Sequence, residues 1–174
     1  MPCFRKSGCA LPLHKQAALG NLQVMADWEA LAEGLEFDLW ANRLWLECLE
    51  RKGLGDPDRP IMGHVLSAQK VWVLRCRGES LTAMPVVEAS DENAAELNSQ
   101  WHDVLYANRH DPVIEFRRTT GEELRLPVSV IVRHVINHGT YHRGELRGLC
   151  LSRGDDDFPE TDFGRYYLEK QAAR

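Results

Sequence analysis

No uninterrupted apolar run in these 174 residues is long enough to cross a bilayer, which takes about 20 consecutive apolar residues. The opening Met1-Pro2-Cys3-Phe4-Arg5-Lys6 carries basic residues but no apolar segment adequate for a secretory signal, so a cytoplasmic protein is expected. Basic charge is in deficit: 21 Lys and Arg stand against 26 Asp and Glu, a formal net charge of -5. A nucleic-acid binder needs a basic surface to neutralise phosphates, so that class is set aside. No CxxC pair occurs either. The five cysteines (Cys3, Cys9, Cys48, Cys76, Cys150) are scattered and odd in number, which suits a reducing compartment better than a disulfide framework. Cys3 and Cys9 with His14 have an unusual spacing and no fourth partner, so they do not read as a zinc cluster. Cys48, Cys76 and Cys150 read as small core residues. Internal repeats and low-complexity segments are absent.

What remains is ordinary for a single globular domain: 44% hydrophobic and 27% charged residues, in a chain long enough to bury a real core. Residues 1–26 read as an irregular N-terminal extension, broken by Pro2, Gly8, Pro12 and Gly20. The domain proper, 27–174, reads as an all-α four-helix bundle with a short β-hairpin before the last long helix. A first helix is expected over 27–52 with Gly53 as its stop. It is apolar on two faces, Phe37, Ala41, Leu44 and Cys48 on one and Leu35, Leu39, Leu46 and Leu49 on the other. The second face of a peripheral helix needs a cover, and a homodimer would supply it; the N-terminal extension is the other candidate. Pro60 suits the first turn of a second helix that ends at Gly78. Ser90, followed by Asp91 and Glu92, caps a third, with Ala94, Leu97, Trp101, Val104 and Leu105 at helical spacing. Residues 113–117 and 123–126 flank Thr120-Gly121 as a hairpin. Pro127 starts the fourth helix, Gly154 follows it, and Asp155 to Asp157 read most simply as a solvated loop, the alternative being a carboxylate supplement to a metal site.

The fourth helix holds the most informative segment, Arg133-His134-Val135-Ile136-Asn137-His138-Gly139-Thr140-Tyr141-His142-Arg143-Gly144-Glu145. Three imidazoles recur at four-residue steps, and neighbours at that spacing lie ~5–6 Å apart at Cβ, close enough to share an ion. The outer two, separated by a rise of roughly 12 Å, cannot share one. At ~100° per residue the apolar stripe of Val128, Ile131, Val132, Val135, Leu146 and Leu149 includes His142 and has His138 at its edge, whereas His134 points to a margin or to solvent. The inward pair is therefore His138 and His142. A third ligand has to come from another helix. His64 lies on or beside the stripe of Ile61, Val65, Ala68 and Trp72, so it also should face the interior. Taken singly, each histidine reads as an imidazole bonded to a backbone carbonyl. Three converging neutral rings are harder to satisfy in that way.

Leu39-Trp40-Ala41-Asn42-Arg43, Gly63-His64, the HxxNHxxxHRG run from His134 to Gly144, and Thr161-Asp162-Phe163 together resemble the DinB/YfiT-like metal-dependent hydrolases, over about 35–168. That resemblance implies a four-helix bundle with a three-histidine site for a divalent metal, zinc or nickel, held by His64, His138 and His142. It also implies a small-molecule substrate, since some relatives act on thiol conjugates. Tyr141 and Glu145 stand where family members often carry His and Gln; the ligands are intact, but the substrate chemistry is not carried over. Glu145 is the candidate catalytic group, able to orient a ligand or take a proton from bound water; the alternative is a solvated carboxylate on the helix edge. Arg143 either binds an anionic substrate group or pairs with a surface acid. The expected function is a metal-dependent hydrolase or thiol-dependent transferase acting on a small molecule, with no nucleic-acid or membrane partner. The alternative is a non-catalytic metal-binding stress-response protein in which the ion ties the second helix to the fourth.

Overall fold

The computed structural model describes residues 27–55, 57–79, 81–117 and 121–173; the N-terminal extension, with Cys3, Cys9 and His14, and Thr120 at the hairpin tip lie outside them. Helix α1 (Trp28–Arg51) starts at Asp27, whose carboxylate accepts from the Ala30 amide at 3.0 Å. It stops where Gly53 turns to φ 61°, a left-handed value natural for glycine. Helix α2 (Asp58–Cys76) is closed in the same way by Gly78, and α3 (Asp91–Ala107) is capped by the Ser90 hydroxyl, which accepts from the Asn93 amide. Strands β1 (Val113–Arg117) and β2 (Glu123–Pro127) pair antiparallel, with Glu115 opposite Arg125.

Helix α4 (Val128–Ser152) follows β2 directly, and Pro127 at its N-cap supplies no capping side chain. Asp111 performs that task from a distance: its two carboxylate oxygens accept from the amide and the hydroxyl of Ser129, each at 2.8 Å. To reach them Asp111 adopts φ 53°, the left-handed region that aspartate enters more readily than most residues.

A fifth helix, α5 (Phe163–Ala172), was not expected; Asp162 caps it by accepting from the Arg165 amide. Its side chains lie on the α1 face that carries Phe37 and Ala41. Phe37 meets Phe163 and Tyr166 edge-on at ring-centroid distances of 5.3 and 5.7 Å, and the Trp40 indole donates to Glu169. The face from which a homodimer was inferred is thus covered within the chain, and that argument for self-association lapses. The Asp155–Asp157 run is not merely solvated. Asp155 pairs with Lys52 at 2.6 Å and Asp157 with Arg51 at 2.8 Å, bracing the end of α1.

The bundle interior is layered. Toward the hairpin, Leu31, Leu35, Val73, Trp101, Ile131 and Val135 form one apolar core. At the opposite end, Trp45, Leu49, Met62, Leu66, Leu97 and Leu146 form another. Between them on α1, α2 and α4 lie Asp38, Asn42, Gln69 and Arg143, all buried and all polar. Cys48, Cys76 and Cys150 are buried free thiols, as expected of core residues, and burial pushes the Cys76 thiol up to about 12. Among the described residues no helix is long and apolar enough to cross a membrane.

Candidate metal centre

His64 projects from the second turn of α2, while His138 and His142 occupy successive turns of α4. The three rings converge, with centroids 5.1 Å apart for His64–His138, 4.8 Å for His64–His142 and 4.5 Å for His138–His142. One nitrogen from each can be chosen so that all lie within 4.8 Å of one another, a group that could hold a metal ion. His134 stays outside this group. It is exposed, with its ring against Trp72 at 5.5 Å and His138 at 5.8 Å. His102 is occupied elsewhere, 2.6 Å from a Glu36 oxygen.

The depth of the site differs from expectation. His64 is exposed, and His138 and His142 are half-buried, so the triad stands at the open rim between α2 and α4 rather than in the bundle interior. The cause is a shift of the α4 ridge. Between Val135 and Leu146 the buried positions are Gly139 and Arg143, one residue beyond His138 and His142. A glycine and an arginine carry no hydrophobic signal, so the stripe read from the sequence runs through His142 instead.

Chemically the donors suit a divalent ion, which takes neutral imidazole. Burial, then the neighbouring His142 and His64 rings, pushes His138 down to about 4. Burial and His142 likewise hold His64 below its ordinary value. Both therefore present unprotonated nitrogens at neutral pH. The third ring is oriented by Glu145, whose Oε2 lies 2.8 Å from His142 Nδ1. An ionised carboxylate only accepts, so Nδ1–H must donate, which leaves Nε2 with its lone pair for an ion. Two nitrogens bound tetrahedrally at the usual zinc distance sit roughly 3.3 Å apart, so small ring rotations suffice to close the set.

Arg143 corrects the reading of it as a substrate or surface group. Its side chain is 2% exposed, and Nη1 donates to Asp38 Oδ1 at 2.6 Å and to Asn42 Oδ1 at 2.7 Å. Nη2 donates to the Thr140 hydroxyl. Asp38 Oδ2 in turn accepts from Gln69 at 2.6 Å and from Asn42 at 3.0 Å. This layer was missed; the signal for it was Asp38 and Asn42, one helical turn apart on an otherwise apolar face. The Asp155 and Asp157 carboxylates, bound to Lys52 and Arg51, are not part of the histidine group. A cavity of about 470 Å³ lined by Trp45, Thr140, Arg147 and Phe158 opens on the opposite face of α4 from the histidines.

Two comparisons bear on this geometry. The chain is similar to the protein named "Protein DinB" of Bacillus subtilis (strain 168), with 24% identity over 156 residues, spanning 75% of this chain and 90% of that one. The family model described as "DinB family" matches residues 59–167, more than half of the chain and all three histidines of the group. The chain belongs to the DinB family.

Proposed function

We propose that the protein is a metal-dependent enzyme, a hydrolase or a thiol-dependent transferase, acting on a small molecule at a zinc or nickel ion held by His64, His138 and His142. The observation that carries this reading is a three-nitrogen group, on an accessible rim, that lacks a fourth protein ligand. Among the described residues only these three histidines make up the group. Structural zinc sites normally fill four positions with protein atoms, whereas catalytic sites keep one for water or substrate. The nearest carboxylate, Glu145, is committed to His142 Nδ1. When bound, the ion would acidify a water or hold a thiolate at the vacant position.

The chain's own groups then have distinct tasks. Glu145 fixes the ring of His142 and raises its basicity as a ligand. His134, beside His138 and Trp72, borders the site and is available to accept or pass a proton from a bound group. Helices α2 and α4 share both apolar cores, through Val73 with Ile131 and Met62 with Leu146, so an ion is not required to tie them together. That speaks for catalysis over a purely structural ion.

The test is ligand access to the cobalt-substituted protein. Azide or a simple thiol should change its visible spectrum with saturable dependence on concentration. A spectrum unchanged by either, across millimolar concentrations, would show a closed site and overturn the catalytic reading.

A further inference from the structure

The layer of Asp38, Asn42, Gln69 and Arg143 is difficult to justify by stability alone. A buried ion pair recovers little beyond its desolvation cost, and apolar residues of similar volume often do as well or better. This one is additionally imperfect, since Arg143 Nε is buried without a hydrogen-bond partner. Its position in the fold indicates what it is for. Arg143 directly follows His142, and Gly139 directly follows His138. Gln69 lies on the same helix as His64, little more than a turn further along.

The layer therefore anchors both ligand-bearing helices, α4 directly beside His142 and α2 little more than a turn from His64. Asp38, from α1, accepts from Gln69 of α2 through one oxygen and from Arg143 of α4 through the other. Its approach to α4 is so close that a Cβ on Gly139 would collide with Oδ1 and stand 2.8 Å from Arg143 Nη1. The carboxylate thus fixes α2 and α4 against a common point, next to the turn of α4 that carries His138 and His142. Apolar contacts above and below it are tolerant of small slides between helices; short, directional, charge-assisted bonds are not.

We propose that Asp38 and Arg143, with Gln69, are positioning residues for the histidine site: they set the offset between α2 and α4 that brings His64 to His138 and His142. The proposal rests on the three-histidine reading. Neither group touches the ion or a substrate; both act through the ligand-bearing helices.

The experiment compares Asp38→Asn, Arg143→Met and the double variant Asp38→Asn/Arg143→Met, with Gln69→Leu as an independent arm. Urea unfolding is recorded on chelator-treated protein, and cobalt affinity and spectrum on the loaded protein. Each of the first two single variants leaves one buried charge unpaired and should lose both stability and metal affinity. The double variant removes both charges, and the side-chain amide introduced in place of Asp38 can still accept from Gln69 and donate to Asn42. It should regain most of the lost stability while its cobalt dissociation constant stays raised roughly tenfold or more, the size of effect typical of groups that orient ligands. Gln69→Leu buries no charge and should raise the constant in the same direction with an altered cobalt spectrum. Wild-type affinity and spectrum in the folded double variant, or in Gln69→Leu should the double variant not fold, would overturn the proposal and leave the layer purely structural. A wild-type protein that takes up no cobalt at all would instead defeat the three-histidine reading, and this proposal with it.

Discussion

Substituting glycine by alanine in the middle of a helix ordinarily stabilises a protein by about 1 kcal/mol, because alanine loses less conformational freedom on folding. Helix α4 offers both a control and an exception. Nothing lies within 4 Å of a Cβ placed on Gly144 or Gly148, so Gly144→Ala and Gly148→Ala should stabilise by about 0.5–1 kcal/mol. At Gly139 the added methyl would collide with Asp38 Oδ1 and lie 2.8 Å from Arg143 Nη1 and 3.3 Å from Asp38 Cγ. Asp38 cannot swing aside cheaply, because its carboxylate is held by Asn42, Gln69 and Arg143 at 3.0, 2.6 and 2.6 Å. Overpacking of this kind costs about 1–3 kcal/mol, and complete rupture of a buried pair about 3–5. Taking roughly 3 kcal/mol for the clash and subtracting the alanine gain leaves a net destabilisation of about 2 kcal/mol. For a chain of this size that is a fall in Tm of about 4–8 °C. Urea unfolding of metal-free protein, followed by far-UV circular dichroism, measures all three variants on one footing. The expected result is opposite signs within one helix. If Gly139→Ala stabilises as much as Gly144→Ala, the close approach of Asp38 to α4 is wrong.

Two further outcomes follow from the charge distribution. The folded-state pKa of His138, pushed by burial from 6.5 to about 4, means that the unfolded chain takes up a proton between those values and the native chain does not. Metal-free protein should therefore lose stability as pH falls from 6.5 to 4, with no contribution from this group above that window. Solvent reaches the half-buried ring and screens it, so the loss is about 1–2 kcal/mol rather than the full value of the shift. His138→Asn should flatten the pH slope there in urea titrations; an unchanged slope would refute the assignment. At the other end of the bundle, Arg153 holds the Asp58 carboxylate through two bonds of 2.8 and 2.7 Å, and that carboxylate is 1% exposed. Arg153→Ala strands it at the start of α2, where the helix dipole offsets only part of the loss, so unfolding should be easier by about 2–3 kcal/mol. A change below about 0.5 kcal/mol, the scale of an exposed pair, would contradict the burial of Asp58.

The elements with local signals were legible in the sequence: the Ser90 cap, the glycine stops at Gly53 and Gly78, and the hairpin between Val113 and Pro127. Each depends on residues within a few positions of one another. Helix α5 was not legible, because its ten residues present one buried side chain, Tyr166, whose partners Phe37 and Trp40 lie on α1. For the histidines, spacing and phase separated His138 and His142 from His134, but not how deep they sit. Depth was decided by Arg143, whose partner Asp38 lies 105 residues earlier. An arginine next to a histidine ligand reads as a substrate group unless its distant carboxylate is known. The polar layer between the two cores is a tertiary feature, and only the assembled helices display it.

The function of this bundle depends most directly on which histidines hold an ion. Metal content per chain, measured by elemental analysis on wild type and on His64→Ala, His142→Ala and His134→Ala, separates the possibilities in one experiment. The three histidines whose ring nitrogens can lie within 4.8 Å of one another are His64, His138 and His142. About one divalent ion per chain is predicted for wild type and for His134→Ala, and close to none for His64→Ala and His142→Ala. Retention of a full equivalent by His64→Ala, or its loss from His134→Ala alone, would contradict the account.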